Sequence, residues 1–375
     1  MKTRNAVKIL SLIFAVAVAA NFIGACTADA EEVTLSSFFG APVTVTFSAV
    51  HSVRQRDELI KKINAVIEMT ERSLSTENED SVVYKFNAST VGRVVTDAIF
   101  NEVFALSKSY YDMTEGAFDP AIYPLSDLWG FTKRFSDGYR PSTPYDRQKD
   151  QGGGYPLPDP QYISAFRYLA DFSSMRLITV DGVTEAYSEL ASVTVGDRDY
   201  QMKLDFSGVA KGYAADKVKK IIDEAGVSGV YVSFGGSSLY LTDKAGDDWW
   251  LGIVKPEKTT YRGTFAKIHV RDKFVATSGT YENAYATDGE TYHHIIDGAT
   301  GAPAKTDLVS VTLIGDSGAE TDALATALVI FGKQKALDFL KDGKFGFVLV
   351  DEDKNVFTSE RSLTLLSDGY TVNYV

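Results

Sequence analysis

Cysteine is all but missing from this chain: Cys26 is the only one among 375 residues. No disulfide can form within the chain, so the folded part has to be stable on packing alone. Basic charge is also short. There are 38 Lys and Arg against 50 Asp and Glu, a net charge of −12 and a pI near 4.9, which argues against a general nucleic-acid-binding role. After residue 25 no apolar run is long enough to span a bilayer, and no repeat of solenoid period recurs. What remains is a chain with 45% hydrophobic residues, enough for a large core and far from a disordered composition.

The N-terminus is the exception to this soluble pattern. Lys2, Arg4 and Lys8 form a basic start, and Ile9 to Ala20 is apolar apart from Ser11. Ile23-Gly24-Ala25-Cys26 follows, with small residues before the cysteine. This reads as a secretory signal over residues 1–25, ending like a lipoprotein signal peptidase site, so that Cys26 would carry lipid. An ordinary signal peptide with an incidental cysteine is the alternative. Residues 26–37 then read as a lipidated polar tether to the membrane, and 38–375 as a single domain.

Along that domain, residues 42–50 (PVTVTFSAV) alternate as a strand does. Leu59, Ile63, Val66, Ile67 and Leu74 recur at helical spacing over 54–74, with Ser52 as a cap. A polar loop from Ser75 to Ser81 leads to Asn87, and a second helix is expected over 97–113. Two prolines among aromatics in GAFDPAIYPLSDLWGF, from Gly116, predict a packed irregular segment. Residues 133–160 read as a long surface loop. The run from Lys203 predicts a strand, a Gly-rich turn at Gly208 and a helix through Ala225, with Lys211 near the helix start. That arrangement can cradle phosphate, although it lacks P-loop spacing. Residues 229–241 read as a strand interrupted at Gly235-Gly236, followed by strands over 249–254, 264–270, 345–350 and 362–366.

The densest chemistry lies between Thr277 and Gly332. Tyr292-His293-His294 holds two of the four histidines, and Asp322 and Thr326 rise from one face of a predicted helix. A carboxylate and a hydroxyl so stacked supply half of an oxygen-ligand site for a hard cation such as Mg2+. The same pair could equally be an acidic helix start and a Thr bonded back to a carbonyl.

These segments, in this order, resemble the FAD:protein FMN transferase family of exported, often lipid-anchored enzymes. The resemblance runs from Phe39-Gly40-Ala41-Pro42 through the Glu71-Arg72, Ser75, Ser81 and Asn87 segment and GAFDPAIYPLSDLWGF. It continues in LDFSGVAKGYAAD from Leu204, VSFGGSS from Val232, VATSGTYEN from Val275, YHHIIDGATG from Tyr292 and ETDALATAL from Glu320. It implies an α+β fold like a tandem T-fold, with antiparallel sheets and packed helices. It implies FAD contacts at Ala117, Phe118, Asp119, Asp205, Lys211 and Ile296, and Mg2+ ligands at the Gly208 carbonyl, Asp322 and Thr326. It implies His294 as the catalytic base, while His293 reads as structural. Asp119 could also be only a turn residue and Asp205 a strand-end cap.

The expected activity is transfer of FMN from FAD to a Thr or Ser of another exported protein, with release of AMP. Mg2+ and Lys211 would neutralise the phosphates, and a histidine titrating near neutrality would take the acceptor proton. The partners expected are FAD, an acceptor acting in trans and a membrane holding the lipid anchor, with the protein facing the periplasm or cell exterior. The same metal and phosphate site would serve an FAD pyrophosphatase, and an FAD-binding lipoprotein without turnover is a third reading. Four departures from the family pattern stand out. Gly298-Ala299 replaces a usual Pro-Arg, Phe39 a common methionine and Glu77 a common aromatic, and the 133–160 loop is longer than usual.

Overall fold

The computed structural model describes residues 31–48, 52–132, 157–243, 248–257, 263–287 and 289–375. The expected signal sequence, Cys26 and positions 133–156 of the expected loop lie outside the described residues.

Apolar alternation builds one nine-stranded sheet. In spatial order its strands are Glu31–Phe38, Ala41–Phe47, Val230–Phe234, Ser238–Leu241, Lys273–Gly279, Leu308–Gly315, Gly346–Asp351, Asn355–Thr358 and Thr371–Tyr374. All neighbours are antiparallel except the last pair. Seven helices accompany it among the described residues: α1 (Val53–Leu74), α2 (Val82–Ala88), α3 (Ala98–Met113), α4 (Tyr123–Leu128), α5 (Pro160–Leu169), α6 (Ser207–Ala225) and α7 (Gly318–Leu340). The class is α+β, as the sequence predicts.

The period of two assigns each strand residue to a face. Val43, Val45, Val230, Val232 and Phe234 pack with Ile63 and Ile67 of α1, Phe100 and Val103 of α3, and Val209 and Tyr213 of α6. Tyr231, Leu239, Leu241 and Val275 point the other way. They are covered by a three-stranded sheet of Trp249–Val254, Thr264–Val270 and Thr364–Leu365. Farther along, Leu324 and Leu328 of α7 lie on Val311, Leu313 and Leu349. Each fully buried side chain of this size contributes about 1.5–3 kcal/mol, so these layers can hold a fold that has no cross-link. A smaller cluster joins α4 and α5 through Leu125, Trp129, Phe166 and Leu169, with Ile296 beside them.

Several expectations are corrected. Glu31–Phe38 is a strand and not tether, because Val33 and Leu35 alternate with polar residues and pack on the core. It pairs with Ala41–Phe47 across a turn at Phe39 and Gly40, both at positive φ (49° and 73°). Ser75–Ser81 is a loop as expected, but the stretch from it to Asn87 is a helix, α2, whose start Ser81 caps by accepting the Tyr84 amide at 2.8 Å, while Val83 and Phe86 are buried. Position 160 begins α5: Asp159 caps it, Pro160 stands in its first turn, and Tyr162, Phe166 and Leu169 are buried. The irregular segment from Gly116 holds a short 3-10 turn, Pro120–Ile122, and α4.

The strand expected before Gly208 does not form. Leu204 instead exchanges two hydrogen bonds with the Asn87 side chain (2.7 and 2.8 Å), and the Asp205 amide donates to the Pro120 carbonyl at 2.7 Å. Gly208 and Lys211 therefore stand in the first turns of α6 and not in a loop. Residues 229–241 form a hairpin and not a bulged strand, turning where Gly235 and Gly236 take positive φ (65° and 77°). In α7 the helix is broken at Gly332, where φ is 72°.

Candidate active site

A cleft of about 420 Å³ opens where α6, α7, the 116–131 segment and the 277–296 region meet. Ala117, Phe118, Asp119, Asp205, Gly208, Lys211, His294, Ile296, Asp322 and Thr326 all line it. Every site residue inferred from the sequence, Cys26 excepted, is thus brought to one cavity.

The cleft depends on how closely α6 and α7 approach. A Cβ placed on Gly212 would lie 2.0 Å from the Gly318 carbonyl oxygen, so the helices meet backbone to backbone. This contact presents Asp322, which is 6% exposed, to α6: its Oδ2 accepts the Gly212 amide at 2.9 Å. That amide is the usual helical partner of the Gly208 carbonyl, four residues earlier. Asp322 Oδ1 accepts the Ser238 hydroxyl at 2.8 Å. Thr326, one turn on, shares a 3.0 Å hydrogen bond with Ser278. Burial pushes the Asp322 carboxyl above its usual range, and the Lys211 ammonium, the Gly212 amide and Ser238 pull it back. Lys211 Nζ is held by Ser237 Oγ at 2.7 Å.

His294 stands at the end of the hairpin formed by Ala284–Thr287 and Glu290–His293. Its Nδ1 is 3.1 Å from the Glu282 carbonyl. A carbonyl only accepts, so Nδ1 carries the proton and Nε2 presents a lone pair. Burial, reinforced by the Lys211 charge, lowers the imidazole to about 4, against the hydrogen bond to Glu282. The ring is therefore neutral at physiological pH. His293 takes the opposite tautomer: its Nε2 faces the Ala304 carbonyl at 3.0 Å, and the side chain is buried in the structural role the sequence suggests.

On the facing wall Asp119 caps the 3-10 turn, with Oδ1 accepting the Ala121 amide at 2.7 Å. It is both the turn residue and a cleft carboxyl. Burial raises it to about 7, with the Asp171 charge adding to the shift. Asp205 likewise accepts the Ser207 amide at 2.8 Å, and burial raises its carboxyl. The Phe118 ring lies against Gly208, where a Cβ would sit 3.4 Å away. Ile296 is pinned by pairing with Pro303. The turn at Gly298-Ala299 is intact, with the Ala299 amide donating to Asp297 at 2.9 Å. Phe39 and Glu77 also line the cleft.

Sequence reasoning gave no role to Ser237, Ser238 and Ser278, which hold Lys211, Asp322 and Thr326 in place. The available signal was their position inside two of the quoted motifs, at strand ends facing the helix of Asp322.

The donor set toward α7 consists of oxygens: the Asp322 carboxylate, the hydroxyls of Thr326 and Ser278, and the Gly208 carbonyl. That chemistry fits a hard cation. Among the described residues no three His, Cys, Asp or Glu side chains cluster as a metal cage. A cation here would rest on one carboxylate and complete its shell with water and substrate oxygens, as Mg2+ commonly does.

Known proteins resemble the chain over most of its length. A FAD:protein FMN transferase from Treponema pallidum is 29% identical over 306 residues, covering 78% of this chain and 77% of that protein. One from Haemophilus influenzae is 26% identical over 360 residues, covering 95% and 96%. Among solved structures, the apo flavinyl transferase ApbE of Pseudomonas stutzeri superposes with a TM-score of 0.67 at 26% identity, covering 86% of this chain and 92% of that one. The Thermotoga maritima ApbE protein, at 24% identity, shares the fold with a TM-score of 0.70 over 86% and 95%. The ApbE family model matches residues 39–348, and this chain belongs to the ApbE family.

Proposed function

We propose that this protein transfers FMN from FAD to the hydroxyl of a Thr or Ser in an exported acceptor protein, releasing AMP. The observation that carries the reading is the convergence of Lys211, His294, Asp322 and Thr326 with Asp119 and Asp205 on one cleft. The names of the relatives support it. In the reaction the acceptor oxygen bonds to the phosphorus of the FMN half, and the bridging P–O bond to AMP breaks. The displaced electron pair stays on the AMP phosphate.

His294 Nε2, unprotonated because Nδ1 is committed to Glu282, takes the proton of the acceptor hydroxyl. Lys211, fixed by Ser237, sets a positive charge against the phosphates. Asp119, buried, and Asp205, partly buried, offer acceptors to the polar edges of FAD, and Phe118 and Ile296 supply apolar wall. Mg2+, held by Asp322, Thr326 and the Gly208 carbonyl, would neutralise phosphate charge as it builds on the transferring and leaving groups. Export on a signal over 1–25, with lipid on Cys26 anchoring the enzyme outside the cytoplasmic membrane, completes the proposal.

The test is incubation with FAD, Mg2+ and a peptide carrying a Thr acceptor site, followed by mass measurement of peptide and nucleotide. Transfer adds an FMN phosphoryl group to the peptide and gives AMP in equal amount. FMN and AMP with an unmodified peptide would show a pyrophosphatase. FAD retained intact would show a binding protein, and either result overturns the transferase reading.

A further inference from the structure

We infer that Asp216 is a positioning residue for the proposed metal site: it sets the height of α7 along α6, and so the place of Asp322 and Thr326. The inference rests on the function proposed above and adds a residue to which that function assigns no role.

The argument starts from the contact between the helices. Gly212 on α6 and Gly318 on α7 touch through their backbones, since a Cβ on Gly318 would lie 2.3 Å from the Gly212 carbonyl oxygen. A glycine contact makes the approach close but offers no side chain to interlock, so it contributes little against sliding along the helix axes. Asp216 stands one turn after Gly212 on the same face of α6. Its Oδ1 accepts the Gly318 amide at 2.6 Å, and its Oδ2 accepts the Ala319 amide at 2.9 Å and the Ser317 hydroxyl at 3.2 Å. The Gly318 and Ala319 donors are first-turn amides of α7, which lack partners within their own helix and lie at the positive end of its dipole.

The local cap of α7 is weak by comparison. Ser317 Oγ accepts the Glu320 amide only at 3.4 Å. The carboxylate that fixes the start of α7 therefore comes from α6. One turn beyond Gly318, Asp322 answers in the opposite direction by accepting the Gly212 amide at 2.9 Å. The two carboxylates thus lock the helices reciprocally: Asp216 of α6 onto residues 318 and 319, and Asp322 of α7 onto residue 212. Thr326 follows one turn later, against Ser278. Without Asp216, the hydrogen bonds left to place Asp322 would be those from the Gly212 amide and Ser238, beside the packing of Leu324 and Leu328 on the sheet. Asparagine at 216 would keep one acceptor oxygen and lose the other, together with the charge.

The experiment compares the full chain with Asp216→Ala, Asp216→Asn and a control, Asp97→Ala. Asp97 caps α3 with equivalent bonds, accepting the Phe100 amide at 2.8 Å and the Ser73 hydroxyl at 2.7 Å, and it does not line the cleft. Asp216→Ala is expected to raise the Mg2+ concentration for half-maximal transfer by about 10–100-fold, the usual effect of removing support behind a metal ligand. The rate at saturating Mg2+ should stay within about threefold, and Asp216→Asn should fall between. Without turnover, the Mg2+-induced rise in Tm of the FAD complex should shrink in both Asp216 variants and persist in Asp97→Ala, even though Asp97→Ala loses a cap of similar kind. Unchanged Mg2+ half-saturation and an unchanged Tm response in the Asp216 variants would overturn the inference and leave the transferase reading standing. If Asp216→Ala does not fold, Asp216→Asn decides by the same two readings. A wild-type protein that transfers FMN equally well without Mg2+ would overturn both this inference and the metal part of the proposed function.

Discussion

Gly212→Ala is the sharpest test of how the site is assembled. The added methyl would lie 2.0 Å from the Gly318 carbonyl oxygen, 2.4 Å from its carbon and 2.7 Å from Asp322 Cβ. The first two are backbone atoms with no rotamer to escape into, so α7 has to move by roughly 1.4 Å before the methyl reaches ordinary contact. Overpacking of this kind costs about 1–3 kcal/mol. The same movement pulls the Gly212 amide away from Asp322, and loss of a hydrogen bond to a buried carboxylate costs about 1.5–3 kcal/mol more. Replacing glycine by alanine inside a helix offsets about 1 kcal/mol. The net loss expected in urea unfolding is therefore about 1.5–5 kcal/mol. Transfer should fall on the order of 100-fold, because a catalytic group displaced by about 1 Å loses its geometry. Gly263→Ala is the matching control: nothing lies within 4 Å of its Cβ position, and its stability should change by less than about 0.5 kcal/mol. A Gly212→Ala protein as stable as wild type, transferring FMN within threefold of its rate, would refute the close-contact reasoning.

Asp322→Ala should abolish transfer at low millimolar Mg2+ while circular dichroism remains native; full activity would remove Asp322 from the metal role. His294→Ala should bind FAD with near-normal affinity in a fluorescence titration, while transfer falls by roughly two to four orders of magnitude, the usual worth of a general base. Because the neutral imidazole is the active form and its value in the fold is lowered to about 4, the wild-type rate should hold as pH falls through 6 and drop only near 4. Stability moves in the same direction: between about 6.5 and 4 the unfolded chain binds a proton that the folded site refuses, so stability is lost as pH falls through that window. A rate midpoint near 6.5 would contradict this environment for His294. Cys26→Ser should move the protein from the membrane to the soluble fraction; wild-type protein without a lipid label in metabolically labelled cells would discard the anchor.

The site was easier to read than the path of the chain around it. Asp322 and Thr326 stand out because helical spacing puts them on one face, whereas His294 is separated from the adjacent His293 only by the resemblance to the family. The fold class followed from alternating runs such as residues 42–47 and 230–234. The misread segments share a cause, which is that tertiary partners replaced local signals. Leu204 looked like strand, but its backbone bonds to the Asn87 side chain, 117 residues away. Glu31–Phe38 looked like tether because its polar residues face solvent, while Val33 and Leu35 reach a core that only the neighbouring strand reveals. The Ser237, Ser238 and Ser278 supports have no periodicity at all, because each is defined by what it meets across the cleft.

The electrostatics of the cleft link its separate parts. Six acidic residues line it, Glu71, Glu77, Asp119, Asp205, Glu282 and Asp322, against a single lysine or arginine among the described residues, Lys211. A pyrophosphate brings two more negative charges, and like charges about 4 Å apart repel by roughly 4 kcal/mol at the effective dielectric of a protein surface. One ammonium cannot balance that. A divalent cation at Asp322 and Thr326 would offset the two pyrophosphate charges, which is a physical argument for the proposed Mg2+. Lys211 has a different task. Its charge opposes the effect of burial on Asp205 and Asp322, favouring the ionised form that a cation needs. The same charge adds to the effect of burial on His294, favouring the neutral form that a base needs. The proposed metal-binding carboxylate has to be ionised and the proposed imidazole base neutral at one pH, and the charge of one ammonium favours both. Ser237, which holds that ammonium at 2.7 Å, therefore bears on the charge state of both groups.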